Sequence, residues 1–306
     1  MILSCGEALI DMLPRQSTAG EDTFAPYPGG AVFNTSIALG RLGVPAGFFS
    51  GISTDLFGEI LEKSLADSNV DSTLARRSNR PTTLAFVKLV DGQATYAFYD
   101  ENTAMRMLTP ADLPQLPDDT SALFFGGISL VGEPCGGAYE ALMLREAPTR
   151  VTMIDPNIRP SFITDEPSYR ARITRMIATA DIVKLSDEDL TWLYGPGDMI
   201  AQSQELIKTG PKLICLTEGA KGAHGITADT QTFVAATKVA VADTVGAGDT
   251  FNAGVLASLH QAGALTKSAL SALDQNVIDD ALSLGTRAAA VTVSRAGANP
   301  PWANEL

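Results

Sequence analysis

Asp243-Thr244-Val245-Gly246-Ala247-Gly248-Asp249-Thr250-Phe251-Asn252-Ala253-Gly254 is the stretch on which the reading of this chain turns. It follows a strand-like run at 238–242 and opens a helix expected over Ala247–Gln261. Glycines at 246 and 248 let the backbone turn tightly and leave its N–H groups unobstructed. At a helix start those N–H groups and the helix dipole make an anion site. A phosphate that gains charge during transfer would be stabilised there. Asp249 lies beside that hole, as a carboxylate able to take the proton of an attacking hydroxyl. A Gly-rich turn with a helix-capping Asp gives the same short pattern without any chemistry, so the stretch needs support from the rest of the chain.

Working outward, apolar strands alternate with amphipathic helices. Strands are expected at 121–125, Val151–Asp155, 182–185 and Leu213–Thr217; helices at 136–146, 168–179, Asp187–Tyr194 and 201–208. A hairpin at 222–228 and 231–236 and a last helix at 278–293 follow. This alternation predicts a mostly parallel sheet covered by helices on both faces. Ligands of such sheets sit at the carboxyl ends of the strands, so the loops after strands are the ones to inspect. In the N-terminal third, Ile2–Cys5 and 9–13 read as strands, 20–28 as a polar connection, and 46–52 as one buried strand. Gly29-Gly30 opens a helix at 31–42 that stops at Gly43, and Asp55 is an N-cap for a helix running to about Asp67. The runs 82–90 and Gln93–Tyr99 are joined by Asp91-Gly92, a strong two-residue hairpin signal. Leu84, Phe86 and Val90 make one face of this hairpin apolar, and Ala85, Val87 and Leu89 the other, so it must be covered on both sides. A small β-lid over a ligand or against another subunit satisfies that, and so does a plain extension of the main sheet. No repeat or linker divides the 306 residues, which read as one domain with the lid drawn from about 9–28 and 82–108.

The totals narrow the classes. Hydrophobic residues make up 45%, enough for a sizeable core, and the net charge of −13 disfavours nucleic acid and anionic membranes as partners. Three scattered cysteines without a CxxC pair read as reduced thiols, which suits a cytoplasmic protein. The start of the chain lacks the basic and apolar regions of a signal peptide, and no apolar run is long enough to span a bilayer. Two histidines, with no HExxH, argue against a His-rich metal site. There is no Gly-x-x-x-x-Gly-Lys-Ser/Thr loop, which excludes a P-loop enzyme, and no Gly-x-Gly-x-x-Gly after the first strand, which argues against a Rossmann dehydrogenase.

The segment Asp-Thr-x-Gly-Ala-Gly-Asp-x-Phe-x-Ala-Gly from Asp243 to Gly254 resembles the C-terminal signature of the ribokinase-like (PfkB) carbohydrate kinases. Gly29-Gly30-Ala31-Val32-Phe33-Asn34, followed by Ala38-Leu39-Gly40-Arg41-Leu42-Gly43, resembles the N-terminal signature of the same family, in the family's order and spacing. The resemblance spans essentially the whole chain. It implies a ribokinase-like three-layer α/β/α sandwich with a small β-sheet lid, and an ATP-dependent sugar kinase using Mg²⁺ and, in many members, K⁺. Asp249 then becomes the base, and the N–H groups of Gly246, Ala247 and Gly248 the anion hole. Gly6-Glu7-Ala8-Leu9-Ile10-Asp11 resembles the opening of bacterial fructokinases, which points to D-fructose as substrate and fructose 6-phosphate as product.

Further roles follow from the resemblance. Asp11, Gly29, Gly30 and Asn34 match sugar contacts; the Asp accepts two hydroxyl protons and the Asn both donates and accepts. Thr217-Glu218-Gly219-Ala220-Lys221-Gly222 resembles the loop along ATP, with Lys221 as a replaceable charge partner and Lys184 a further nucleotide contact. Asp155-x-Asn157-x-Arg159 resembles a segment whose Arg neutralises phosphate or holds substrate oxygens. Ser186-x-x-Asp189 stands where ribokinases carry Asn-x-x-Glu, a departure that makes Asp189 a shorter organiser of Mg²⁺ through water, with Glu188 as rival. Asp243 and the Val245 carbonyl, with Gly297 from another loop, match part of a monovalent-cation site. Read from residues alone, these segments also fit a strand-end Asp, a strand-to-hairpin turn, a surface salt bridge and a solvated acidic helix start. A rival substrate is 2-keto-3-deoxygluconate, whose carboxylate asks for another cation; Arg106, just after the lid, is the candidate. A rival class is a sugar-binding protein of the same fold without catalysis. Lid pairing points to a homodimer.

Overall fold

The apolar strands pair as their alternation with helices predicts, at the centre of a computed structural model. It describes residues 1–90 and 93–306, with the side chains of 87–90 and 93–96 outside the description. In chain order the elements are β1 Ile2–Cys5, β2 Leu9–Gln16, β3 Asp22–Gly29, α1 Ala31–Arg41, β4 Ala46–Phe49, β5 Gly51–Ser53, α2 Leu56–Asp67, β6 Val70–Asp71, β7 Arg76–Ser78, β8 Leu84–Val90 and β9 Gln93–Tyr99. They continue with β10 Ala122–Gly126, α3 Cys135–Glu146, β11 Val151–Asp155, α4 Glu166–Thr179, β12 Ile182–Ser186, α5 Asp187–Tyr194, α6 Met199–Ile207, β13 Leu213–Thr217, β14 Gly222–Ile226, β15 Gln231–Ala235, α7 Ala247–Gln261, α8 Lys267–Leu270 and α9 Gln275–Val293.

The main sheet has nine strands in the order β15-β14-β13-β12-β11-β10-β1-β4-β6. Strands from β13 to β6 run parallel, and β14 and β15 close one edge antiparallel. The chain builds from β1 toward β4 and β6, then resumes on the other side of β1 at β10. Strand order reverses there, and the crevice at such a point is where ligands bind. One apolar layer joins α1, α2, α7 and α9 to one face of the sheet; a second joins α3 to α6 to the other. The expected three layers are therefore present. Cys5, Cys135 and Cys215 are buried and unpaired.

A separate sheet, β3-β2-β8-β9, makes the small β-layer, so the hairpin belongs to a second sheet and does not extend the first. The expected turn at Asp91-Gly92 and the two-faced apolar pattern at Val87, Leu89 and Val90 lie outside the described residues. Residues 100–108, assigned to the lid from sequence, follow β9 as irregular chain.

Three expectations are corrected. The connection at 20–28 is mostly strand: β3 pairs along the whole of β2. Its prolines are compatible with that because β3 is an edge, and Pro14 of β2 lies beyond the stretch that pairs with β8. The single strand at 46–52 is two, β4 and β5, in different sheets. The break brings Gly51 against the carbonyl of Ala104, where any Cβ would collide. The strand at 238–242 is irregular and exposed, because Ala242 and Asp243 donate their N–H groups to Val293 at the end of α9 and not to a neighbouring strand. Several helix starts also move toward the N-terminus by two or three residues, to caps at Asp165, Asp198 and Asp274 that accept the first amides.

Candidate active site

Loops after β1, β10, β11, β12 and β13, together with the starts of α1 and α7 and the inner face of the small sheet, enclose a cleft of about 730 Å³. The carboxyl ends of the strands converge there as parallel topology requires. Asp11, Gly30, Asn34, Arg159, Lys184, Asp189, Thr217, Gly219, Val245, Gly246, Ala247, Gly248 and Asp249 all line it, so most of the residues singled out in sequence meet in one place.

Helix α7 starts at Gly246, whose φ of 79° is left-handed and whose Cβ would stand 2.8 Å from that of Ala298. Among the described residues the N–H groups of Gly246, Gly248 and Asp249 have no acceptor. That of Ala247 reaches Thr244 O only at 3.4 Å. Of the expected set of Gly246, Ala247 and Gly248, Ala247 is thus partly engaged, and the amide of Asp249 is free beside them among the described residues. A methyl on Gly248 would meet nothing closer than the Lys184 ammonium, at 3.4 Å. The fold therefore has room for Gly248→Ala, and the added methyl enters the cradle. We expect kcat to drop roughly 10- to 10²-fold with little change in Tm, checked by steady-state kinetics beside a thermal melt.

The carboxylate of Asp249 is buried, and its Oδ2 accepts a hydrogen bond from Asn34 Nδ2 at 2.9 Å. Burial pushes its pKa up to about 7; the Asn34 bond opposes this, Asp155 adds to it, and Lys184 again opposes it. A base poised near neutrality suits proton abstraction from an alcohol. Below lies a buried ion pair. Lys184 Nζ is 3.0 Å from Asp155 Oδ2, and Asn252 Nδ2 donates to the same oxygen at 2.7 Å. Burial alone would lower the Lys184 pKa, but Asp155, then Asp189 and Asp249, hold it above its usual value, so its ammonium stays protonated in the pair with Asp155.

Asp11 lies on β2 opposite Tyr27, with burial raising its pKa to about 6. Gly29 packs against that carboxylate, where a Cβ would collide with Oδ2, and is not itself in the cleft wall. Phe98 from β9 lines the cleft and meets Phe162 across it, ring centroids 4.6 Å apart. Arg159 is exposed at the wall and makes no ion pair with described residues; its Nη1 donates to the Ile158 carbonyl at 3.0 Å.

Arg106, Lys221, Gly222 and Asp243 are not brought to the cleft wall. Arg106 pairs with Asp100 and donates from Nε to the Glu133 carbonyl at 2.7 Å, so it ties the chain after β9 to the loop before α3. Lys221 is exposed and paired with Glu218 at 2.8 Å, and Gly222 begins β14; the loop's cleft residues are Thr217 and Gly219. Asp189 is buried, and both its oxygens are taken by amides: Ile158 N–H at 2.8 Å and Ser186 N–H at 3.2 Å. It completes the capping box of α5 with the N-cap Ser186, while Glu188 stands exposed on the same wall. Among the described residues no group of three or more His, Cys, Asp or Glu could hold a metal by itself. Asp243 bridges two loops, accepting from Val245 N–H at 3.1 Å and Gly297 N–H at 2.9 Å. Sequence reading did not assign Glu7, Asp155 or Asn252 a role. Each lies in or beside a recognised motif, but the partner that gives it meaning is far away in the chain.

A layered parallel sheet, with unbonded amides opening α7 and a buried carboxylate beside them, defines a ribokinase-like α/β fold. The sequence matches the pfkB family carbohydrate kinase description over residues 1–305, and the chain belongs to that family. It is 59% identical over 278 residues to a protein of Rhizobium leguminosarum bv. trifolii named fructokinase, spanning 91% of this chain and 85% of that one. Among solved structures it resembles fructokinase with bound ATP from Xylella fastidiosa, with a TM-score of 0.86 and 29% identity over 97% of this chain and 93% of that one. It also resembles an engineered double mutant of fructokinase from Vibrio cholerae O395 in a fructose, ADP and potassium ion bound form. That match has a TM-score of 0.84 and 26% identity over 97% of this chain and 93% of that one. No helix among the described residues is long and apolar enough to cross a membrane.

Proposed function

We propose that this protein transfers the γ-phosphate of ATP to D-fructose, giving fructose 6-phosphate, with Asp249 as the base. The observation that carries this is one carboxylate, tethered 2.9 Å from Asn34, at the rim of unbonded amides that open α7. Asn34 and Asp11 flank the position of the sugar. Asp249 takes the proton of its primary hydroxyl as the oxygen attacks in line. The amides of Gly246, Gly248 and Asp249, with Lys184 beneath and Arg159 at the wall, hold the phosphoryl group as its charge spreads. Leu9, Asp11 and Phe98 face the cleft from the small sheet, which acts as a lid excluding water as a competing acceptor.

Mg²⁺, when bound, supplies charge neutralisation between ATP oxygens. Glu188 fits its water shell better than Asp189, whose oxygens are occupied by amides. The Val245 carbonyl beside Asp243 suits a monovalent cation such as K⁺. The Vibrio neighbour, with fructose, ADP and potassium ion bound, is in keeping with this assignment. The outer face of the lid leaves Phe24 and Tyr99 exposed on either side of Phe86, with ring centroids 5.1 and 5.5 Å apart. A second copy covering that face would make a homodimer. A cytoplasmic location fits the three unpaired cysteines.

A coupled ADP-release assay over fructose, 2-keto-3-deoxygluconate, ribose and adenosine tests the substrate. We expect the highest kcat/KM for fructose; preference for the keto acid would overturn the choice. The cations lining the cleft are Arg159 and Lys184, with Arg106 turned away, which leaves little for a carboxylate substrate. The pH profile tests the base. Asp249 must be ionised to act and its pKa is about 7. So kcat/KM should rise about tenfold per pH unit below that value and level off above it. A flat profile from pH 5.5 to 8 would remove Asp249 from the role.

A further inference from the structure

Glu7 is a carboxylate that this chemistry does not use. It is 1% exposed, lines the floor of the cleft, and has no cationic partner among the described residues. Its oxygens are divided between two backbone donors. Oε1 accepts from Val32 N–H at 3.3 Å, and Oε2 from Ser129 N–H at 3.2 Å. Both donors sit in first turns whose own caps are glycines. Gly30 caps α1 and Gly126 caps the 3₁₀ turn Gly127–Leu130, and neither has a side chain to accept an amide. A carboxylate reaching in from the loop after β1 supplies both missing caps.

The two turns also close down on it. A Cβ on Gly30 would stand 2.9 Å from Glu7 Cγ, and one on Gly127 would collide with Oε1. The first turn carries Gly30, Ala31 and Asn34 into the cleft; the second carries Gly127 and Ile128. Asn34 in turn holds Asp249. The contact lies where strand order reverses, just beyond the paired carboxyl ends of β1 and β10.

We propose that Glu7 is a positioning residue for the acceptor sugar, a single carboxylate that clamps the start of α1 to the turn after β10 and so sets the width of the sugar half of the cleft. The nucleotide half, from Thr217 and Gly219 to Val245–Gly248, makes no hydrogen bond to it. The kinetic test rests on the fructose-kinase reading.

In Glu7→Gln one position of the carboxylate becomes an amide nitrogen, which cannot accept, so one clamp is lost while the shape is kept. We expect KM for fructose to rise roughly 10-fold or more, and KM for ATP to change less than about twofold. Glu7→Asp, which keeps the charge but not the reach, should fall between. Equal changes in both KM values, or none, would overturn the proposal. A wild-type enzyme inactive on fructose would instead count against the functional reading alone. Amide hydrogen exchange then decides independently of any sugar. In the wild type the Val32 and Ser129 amides should exchange with the slowest class, and in folded Glu7→Gln at least one should exchange more than about tenfold faster. Fast exchange of both in the wild type overturns the clamp, even if the variant does not fold.

Discussion

Asp249→Asn is expected to lower kcat by roughly 10²–10⁴ while ATP binding is retained. The substitution keeps the size of the side chain and an oxygen for Asn34 Nδ2, and removes the proton acceptor. The nucleotide meets amides and Lys184, which the change leaves in place, so the loss should lie in kcat and not in KM for ATP. The same variant should be more stable than the wild type at pH 8. Asp249 has a folded pKa of about 7 against an ordinary 3.8, so the folded state holds its proton more tightly than the unfolded state. Stability from that proton is complete below 3.8 and is lost as pH rises through about 7. A gap of about 3 pH units is worth on the order of 4 kcal/mol. Asn carries no charge to bury, so its Tm should exceed that of the wild type by several degrees at pH 8, with the gain shrinking toward pH 4. Unchanged turnover would exclude Asp249 as the base. An equal Tm at pH 8 would mean that its burial penalty is offset elsewhere.

Lys184→Met carries the second large effect. The ammonium is 5% exposed and 3.0 Å from Asp155 Oδ2, with Asp189 and Asp249 also acting on it. Methionine fills a similar volume and leaves the buried Asp155 without a cation, with Asn252 Nδ2 and the Asn157 N–H as its donors. Breaking a buried pair in this way costs about 3–5 kcal/mol. The double variant Asp155→Asn/Lys184→Met removes the orphaned charge and should recover most of the stability. It should not recover turnover, because Lys184 lies beneath Gly248 in the phosphate cradle. Urea melts and kcat on the four proteins of the cycle separate the two roles. A double variant no more stable than Lys184→Met would refute the pair as the source of the loss. Full activity in that double variant would remove Lys184 from the cradle.

These two expectations divide along the line between local and distant information. Gly246-Ala247-Gly248-Asp249 was legible because everything it needs is contiguous: glycine freedom, a helix start and an acid within four residues. The same holds for the alternation of apolar strands with helices, which specified a parallel sheet and hence the end at which ligands gather. Capping residues such as Asp55 could likewise be read in place, since its carboxylate accepts from Phe57 and Gly58 next to it. Strand β3 was missed because Pro26 and Pro28 argue against a strand unless it lies at an edge, and edge position is a property of the assembled sheet. The division of 46–52 was missed for a related reason: the constraint on Gly51 is the carbonyl of Ala104, half a sheet away in sequence.

What the sequence determined by itself was the class of fold and the glycine-flanked helix start that carries Asp249, because periodicity and short motifs act over one or two turns of chain. Tertiary structure alone decided which assigned residues share the cleft. It turned Arg106 and Lys221 aside, gave the oxygens of Asp189 to amides, and set Lys184 against Asp155 under Gly248. It also brought the carboxylate of Glu7 between two glycine-capped turns separated by about a hundred residues. Such assignments depend on burial and on pairings across the sheet, where each buried polar group must find a partner once water is excluded. No window of sequence contains that partner.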